Sequence, residues 1–251
     1  MNKNKVAIIT GGSKGIGFSC ALKLAKEGFD IAICSRSAKE LKKTSHFLKT
    51  KYKIDCFYME IDASKNIQIK KFVKNVLKKF KTIDVLINNC GIQLNKKIEK
   101  LSFKEIKKVI DINLFSYIYF SKIVGQHMIK NKKGKIINIS SVLSKFPLPG
   151  RLPYSISKAG VDALTRSLAL EWSKYNITCN SINPGHIKTD LIKRDIKKGL
   201  ISMNELKKRS IINKLGSLED VSNFVFFLIQ YGSIYQTGQS YFVDGGFSIK
   251  K

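Results

Sequence analysis

Short apolar segments alternate with longer amphipathic segments along this 251-residue chain. The short segments carry apolar residues on both faces, which predicts strands buried within a sheet. The longer segments repeat their apolar residues with the 3.6-residue period of a helix. Strands are predicted at 6–10, 31–35, 56–61, 85–88, 135–140, 178–183 and 240–243. Helices are predicted at 16–26, 38–51, 66–80, 103–130, 153–175 and 218–230.

Buried strands separated by helices predict a parallel sheet covered on both faces. Right-handed crossovers make this a doubly wound Rossmann-type α/β fold, which we expect to have about seven strands. No linker or repeat divides the sequence, so we predict a single catalytic domain over residues 1–251. Segment 186–214 interrupts the alternation and is polar and basic. Because it follows the sixth predicted strand, we expect a substrate lid there.

Apolar runs in the sequence are short. The first residues contain four consecutive apolar positions (6–9), too few for a signal-peptide core. The longest run, 224–229, has six residues and is far shorter than a membrane span. We therefore expect a soluble, cytoplasmic protein with no membrane insertion. The five cysteines form no CxxC pair and the three histidines are scattered, so neither disulfides nor a metal site are expected.

The formal net charge is +28, and only five of the 46 basic residues are arginines. This charge has two interpretations. It can serve an acidic partner, such as an acyl carrier protein, or it can reflect a lysine-rich composition, because the lysines are spread over the whole sequence. Nucleic-acid recognition favours arginine, and no nucleic-acid motif is present, so no nucleic-acid partner is expected.

A glycine-rich turn follows the first predicted strand and leads into the first helix. Its sequence, GGSKGIG at 11–17, has the spacing GxxxGxG. Backbone amides at a helix N-terminus, approached closely across small residues, bind a pyrophosphate. Glycines also serve ordinary tight turns, but the place of this turn in a βαβ unit favours a dinucleotide. The predicted contacts are Gly11, Ser13, Lys14, Gly15, Ile16 and Gly17.

Arg36 follows the second predicted strand, where dinucleotide enzymes contact the adenosine ribose. An acidic residue there binds the ribose hydroxyls, whereas a basic one accommodates a 2′-phosphate. The segment 34–37 reads CSRS and contains no carboxylate. Arg36, aided by Lys14, therefore predicts NADPH in preference to NADH. The alternative is a solvated arginine without a ligand.

Tyr154 and Lys158 are four residues apart and share one face of a predicted helix. An ammonium beside a phenol lowers the pKa of the phenol, which suits a general acid. Ser141 closes the fifth predicted strand, where its hydroxyl points toward the crevice. Asn113 is a polar residue among apolar neighbours, so it either stabilises a kink or holds a water.

Together these motifs, in this order, resemble the short-chain dehydrogenase/reductase family over essentially the whole chain. The shared motifs are TGGSKGIG, NNCG, Asn113, Ser141, Tyr154-x-x-x-Lys158, Asn183-Pro184-Gly185, Leu215-Gly216 and Val243-Asp244-Gly245-Gly246. The resemblance implies that Tyr154 donates a proton, Lys158 tunes it and binds the nicotinamide ribose, Ser141 binds the substrate oxygen and Asn113 holds a relay water. It also implies a homotetramer built on the two long helices and the 243–246 end. Further implied cofactor contacts are Asp62, Asn89, Gly91, Pro184, Gly185, Ile187 and Thr189.

Two substrate classes remain open. Within the family, the chain looks most like the 3-oxoacyl-(acyl-carrier-protein) reductases of fatty-acid synthesis, although Leu170 stands where those enzymes have arginine. The segment Arg151-Leu152-Pro153 also looks like that of sugar or polyol dehydrogenases such as gluconate 5-dehydrogenases. A third hypothesis is a basic, non-enzymatic nucleotide- or nucleic-acid-binding protein. The intact set of Ser141, Tyr154 and Lys158 argues against it.

Overall fold

The apolar segments lie side by side in one sheet. The structure, a computed structural model, describes residues 4–197, 199 and 202–250, and gives only the backbone at 191 and 193–195. The strands of this part are β1 Val6–Thr10, β2 Asp30–Ser35, β3 Cys56–Glu60, β4 Val85–Asn88, β5 Gly134–Ile139, β6 Ile177–Pro184 and β7 Ser240–Val243. All neighbouring pairs are parallel, in the order β3-β2-β1-β4-β5-β6-β7. The predicted fold class is confirmed.

Helices cover both faces of the sheet. They are α1 Gly15–Lys26, α2 Ala38–Tyr52, α3 Asn66–Phe80, α4 Phe103–Ile110, α5 Ser116–Lys130, α6 Leu152–Trp172, α7 Asp190–Lys197, α8 Met203–Lys208 and α9 Leu218–Gln230. No helix in the described ranges is both long and apolar enough to cross a membrane.

Two apolar cores follow from the alternation of side chains along the strands. Ala7 and Ile9 of β1 face the core shared with α1, α2 and α9. Val6 and Ile8 face the core shared with α3, α5 and α6. The strand order reverses between β1 and β4, so a crevice opens there at the carboxyl ends of the strands.

The helix predicted at 103–130 is interrupted. A π-helical turn, Asp111–Phe115, separates α4 from α5. This wider turn contains Asn113, whose side chain is fully buried and bonded to the backbone of Ile92. The interruption thus coincides with the one buried amide that the pattern singled out in this stretch, consistent with π-turns occurring at functional sites.

Candidate active site

One cavity at the carboxyl edge of the sheet brings the predicted catalytic groups together. It has a volume of about 510 Å³ and is lined by Ser141, Tyr154 and Lys158. Predicted cofactor residues from three separate parts of the chain line the same cavity. They are Ile16, Asn89, Gly91, Pro184, Gly185, Ile187 and Thr189.

The glycine turn has the geometry that a pyrophosphate needs. Gly11 and Gly15 adopt positive φ values of 66° and 56°. A Cβ on Gly17 would overlap the Asn89 amide and the Gly11 carbonyl, whereas a Cβ on Gly15 would meet only a methyl of Thr189 at 4.0 Å. Helix α1 begins at Gly15, and its N-cap Lys14 makes no side-chain capping bond. The first amides of α1 therefore remain available to an anion, so the turn fits a dinucleotide.

Hydrogen bonds of Asn89 connect this turn to the end of β4. Its Nδ2 donates to the carbonyl oxygens of Thr10, at 2.9 Å, and Gly11, at 3.3 Å. The hydroxyl of Thr10 in return accepts from the backbone N–H groups of Asn89 and Cys90, at 2.9 and 3.0 Å. Asn89 thus holds the turn in place and also lines the cavity.

The region predicted to bind the adenosine ribose of the cofactor contains two cations and two carboxylates. Arg36 is exposed and lies near Asp62. Partial burial raises the pKa of Asp62, but the hydrogen bonds from Ser64 and the charges of Lys65 and Arg36 outweigh it, so the net shift is downward. Lys14 Nζ lies 3.6 Å from Oε1 of Glu40, a carboxylate that sequence analysis did not include.

The ammonium of Lys158 is buried and held by two oxygens. Its Nζ donates to the Ile139 carbonyl at 2.7 Å and to the Tyr117 hydroxyl at 3.3 Å. It also lies 5.7 Å from the centroid of the Tyr154 ring. Burial lowers the pKa of Lys158 to about 8, against the opposing effects of Cys90 and Asp162.

The pKa of Tyr154 is raised, where the sequence predicts a lowered value. Burial of the phenol is the main cause, and a hydrogen bond with Ser141 and the charge of Arg151 oppose it. The Lys158 ammonium, 5.7 Å from the centroid of the Tyr154 ring, bonds to Ile139 and Tyr117. The structure therefore favours the protonated, donor form of Tyr154.

Asn113 does not line the cavity. Its Oδ1 accepts from Ile92 N at 2.8 Å, and its Nδ2 donates to Ile92 O at 2.8 Å and to Ser157 Oγ at 3.2 Å. The oxygen and the nitrogen of the Asn113 amide thus both form hydrogen bonds within the protein. These bonds link the loop after β4 to α6. The predicted relay water on Asn113 stays a prediction.

A buried carboxylate that sequence analysis missed is linked to Ser141 through a shared hydrogen-bond partner. Asp162 lies one helical turn after Lys158 and accepts from Ser181 Oγ and Asn183 Nδ2, each at 2.9 Å. Asn183 Nδ2 also donates to the Ser141 carbonyl at 3.2 Å. The turn spacing from Lys158 is a signal that could have identified Asp162.

The predicted lid segment contributes residues to the cavity wall. Besides Ile187 and Thr189, these are His186, Ile192, Glu205, Leu206 and Arg209. Burial, with the charges of Arg209 and Arg151, lowers the pKa of His186 to about 4, so this side chain is neutral at pH 7. No local sequence pattern predicts that Arg209 and Glu205 line the site. Positions 198, 200 and 201 of the segment lie outside the described residues.

Comparisons with known proteins identify the family of this chain. A family model described as short chain dehydrogenase matches residues 5–199. The 3-oxoacyl-[acyl-carrier-protein] reductase of Chlamydia trachomatis is 36% identical, with 97% of each chain covered. The reductase of the same name from Buchnera aphidicola is 34% identical, again with 97% of each chain covered.

Solved structures are similar to this chain as well. L-sorbose reductase from Gluconobacter frateurii, complexed with NADPH and L-sorbose, is 28% identical with a TM-score of 0.94, covering 99% of this chain and 98% of that one. A candidate gluconate dehydrogenase from Agrobacterium tumefaciens is 29% identical with a TM-score of 0.93 and the same coverage. The chain therefore belongs to the short-chain dehydrogenase family and is an NAD(P)-dependent oxidoreductase acting on a CH–OH or keto group.

Proposed function

We propose that this protein uses NADPH to reduce a ketone to a secondary alcohol, and that its substrate is a 3-oxoacyl group on an acidic acyl carrier protein. The observation that carries the reduction is the meeting of Ser141, Tyr154 and Lys158 in the cavity next to the glycine turn. The acyl substrate is supported by relatives that are 3-oxoacyl-[acyl-carrier-protein] reductases over 97% of their length. The positive charge of the chain suits an acidic carrier.

In the proposed reaction, Tyr154 donates its phenolic proton to the ketone oxygen as the general acid. The hydroxyl of Ser141 binds the same oxygen. Lys158 holds a positive charge nearby and contacts the nicotinamide ribose. Bound NADPH supplies the hydride. The protein otherwise orients the reactants through the glycine turn, Asn89 and the 184–189 segment.

Further parts of the proposal concern the whole chain. Residues 1–251 act as one catalytic domain, and 186–214 covers the substrate as a lid. Arg36 and Lys14 bind the 2′-phosphate of the cofactor, and Asp62 contacts its adenine. The protein works in the cytoplasm as a homotetramer in fatty-acid synthesis.

A sugar or polyol dehydrogenase is the second candidate, and a specific observation favours it. Arg151, which precedes Tyr154 by three residues, lines the cavity. A cationic wall suits a sugar acid, and the solved structures with this fold include the L-sorbose reductase and the candidate gluconate dehydrogenase.

The deciding experiment is a substrate panel scored by NADPH oxidation. It contains β-ketoacyl thioesters, including one on acyl carrier protein, together with keto-sugars and keto-sugar acids. We expect the highest kcat/KM for the carrier-bound thioester. A higher value for a keto-sugar acid would replace the first candidate with the second.

The variant Tyr154→Phe tests the proposed proton donor. We expect turnover to fall by roughly 10²–10⁴-fold, as for other lost general acids, while NADPH binding measured by fluorescence stays nearly unchanged. Near-wild-type turnover in this variant would overturn the proposed role.

A further inference from the structure

A second phenol, Tyr117, contacts the ammonium of Lys158. Tyr117 lies on α5, four residues after Asn113, and its side chain is completely buried. Its hydroxyl donates to the carbonyl oxygen of Ile139 at 3.2 Å and accepts from Lys158 Nζ at 3.3 Å. A phenol has a single proton to donate. Because that proton is used on Ile139, the hydroxyl presents only its oxygen to the ammonium.

The hydroxyl of Tyr117 keeps this proton at the pH of an assay. Burial raises the pKa of Tyr117 well above its ordinary value, and Cys90 and Tyr154 raise it further. Lys158 Nζ also donates to the Ile139 carbonyl, at 2.7 Å. Ammonium, hydroxyl and carbonyl therefore form a closed triangle of hydrogen bonds in which each group has one fixed role.

This triangle holds a side chain that is otherwise flexible. A lysine has a long stem and loses much rotamer freedom when its ammonium is kept in one place. The Lys158 ammonium lies 5.0 Å from the centroid of the Tyr117 ring, within the range of a cation–π contact. Among the described residues, Ile139 and Tyr117 accept two of its three N–H groups, which leaves the third for a ligand in the cavity that Lys158 lines.

Filling of the core does not require this hydroxyl. Phe120, on the same helix, is likewise fully buried and has no polar atom on its ring. A buried hydroxyl is costly unless it is hydrogen-bonded, and the Tyr117 hydroxyl has two partners, one of which is the ammonium of the candidate site. The oxygen is therefore what distinguishes Tyr117 from an ordinary aromatic residue of the core.

We propose that Tyr117 is a positioning residue for Lys158. Its hydroxyl, held by Ile139, orients the ammonium so that the remaining N–H points into the cavity, where Lys158 contacts the nicotinamide ribose. This rests on the role that the proposed function gives to Lys158. Tyr117 is fully buried and acts through the ammonium alone.

Binding measured with and without the nicotinamide ribose tests this role. NADP⁺ and its fragment 2′,5′-ADP, which lacks that ribose, are titrated by calorimetry into the protein, and NAD⁺ with ADP forms a second pair. In the pair whose dinucleotide binds more tightly, Tyr117→Phe should weaken the dinucleotide about tenfold, as for a lost hydrogen bond to a charged group, and leave the fragment unchanged. Tyr119→Phe, the same change at a half-buried position of α5, should alter neither.

A double-mutant cycle with Lys158→Met separates positioning from packing. Because Tyr117 acts through the ammonium, Tyr117→Phe should have no further effect on dinucleotide binding once Lys158 is replaced. In turnover of the best ketone of the substrate panel, Tyr117→Phe should lower kcat about tenfold and change the KM of the ketone by less than about twofold.

Three results would overturn the role of Tyr117: unchanged dinucleotide binding in Tyr117→Phe, equal weakening of the fragment, or the same loss when Lys158 is already replaced. Unchanged binding in Lys158→Met would show that the ribose contact in the proposed function is wrong, and the role of Tyr117 with it. The expected binding pattern without turnover of any ketone would support the role of Tyr117 and contradict the proposed reaction alone.

Discussion

At the scale of single residues, the cofactor end of the site depends on charges that compete with one another. Arg36 is exposed at the end of β2, and Lys14 faces Glu40 across 3.6 Å. Glu40 thereby partly neutralises Lys14, one of the two cations that the sequence predicts to bind the 2′-phosphate. A preference for NADPH then depends mainly on Arg36.

We predict that kcat/KM for NADPH exceeds that for NADH by about tenfold or more, since charge-assisted hydrogen bonds contribute about 1.5–3 kcal/mol each. Arg36→Ala should remove most of this ratio. Glu40→Gln should increase it, because Lys14 is released toward the phosphate. Lys42→Ala, an exposed position on α2, serves as the control. Equal wild-type values for both cofactors, or a preference for NADH, would show that Arg36 does not select the cofactor.

A second residue-scale prediction concerns Lys158 and pH. Burial places its pKa at about 8, below the ordinary 10.5, so the ammonium loses its proton within the range of an assay. We expect kcat/KM for reduction to fall above about pH 8. Between pH 8 and 10.5 the unfolded chain binds a proton that the folded one has released, so the contribution of this group to stability rises with pH.

The pH profile of kcat/KM checks this assignment. Tyr117→Phe removes one oxygen from the ammonium and should shift the falling limb to lower pH. Lys158→Arg should abolish the limb in whatever activity remains, because a guanidinium does not titrate in this range. A limb that is identical in all three proteins would assign it to another group.

At the scale of elements, Ser141 is held in position by contacts between α6 and β6. Asp162 of α6 accepts from Ser181 and Asn183 of β6, and Asn183 continues to the carbonyl of Ser141. A buried carboxylate with two donors is stable, but its neutral amide analogue places an NH₂ group against a donor. The docking of α6 on the sheet and the position of Ser141 are therefore linked.

We predict that Asp162→Asn lowers the free energy of unfolding by about 1–3 kcal/mol, the usual cost of leaving a buried hydrogen-bonding group unsatisfied. It should also lower kcat more than it raises KM, because Ser141 shifts relative to Tyr154. Urea denaturation and steady-state kinetics measure the two effects. Glu171→Gln, an exposed carboxylate at the end of α6, should change stability by no more than about 0.5 kcal/mol. Wild-type stability in Asp162→Asn would refute the link.

At the scale of the whole molecule, the helices on one face of the sheet leave large apolar side chains in water. Phe103 of α4 is 90% exposed and Leu170 of α6 is 84% exposed, and Ile156 of α6 is about half exposed. Apolar groups on neighbouring helices indicate a surface that is covered by another protein. The homotetramer implied by the sequence resemblance agrees with this surface.

We predict a tetramer in light scattering, with its interface on α4 to α6. Leu170→Lys should produce smaller species, whereas Ile67→Lys, at a 79%-exposed position on α3, should not. Since each chain carries a net charge of +28, dissociation should be easier at low ionic strength, where repulsion is least screened. A stable, active wild-type monomer would contradict the assembly.

Much of this molecule could be predicted from local patterns. Strand and helix order, the parallel sheet, the glycine turn and the shared face of Tyr154 and Lys158 depend on periodicity, turn chemistry and chain order, which short stretches of sequence contain. Ser141 and Gly185 meet in one cavity because parallel strands end at the same edge of the sheet.

Only the tertiary structure decided where the side chains point and which distant residues they meet. Lys158 bonds to Ile139 and Tyr117, and Asn113 bonds to Ile92 from a π-helical turn. Arg209 enters the cavity from a segment 55 residues beyond Tyr154. Such contacts join groups far apart in the chain. They depend on how the helices dock on the sheet and on how burial shifts each pKa, and neither is encoded in a local pattern.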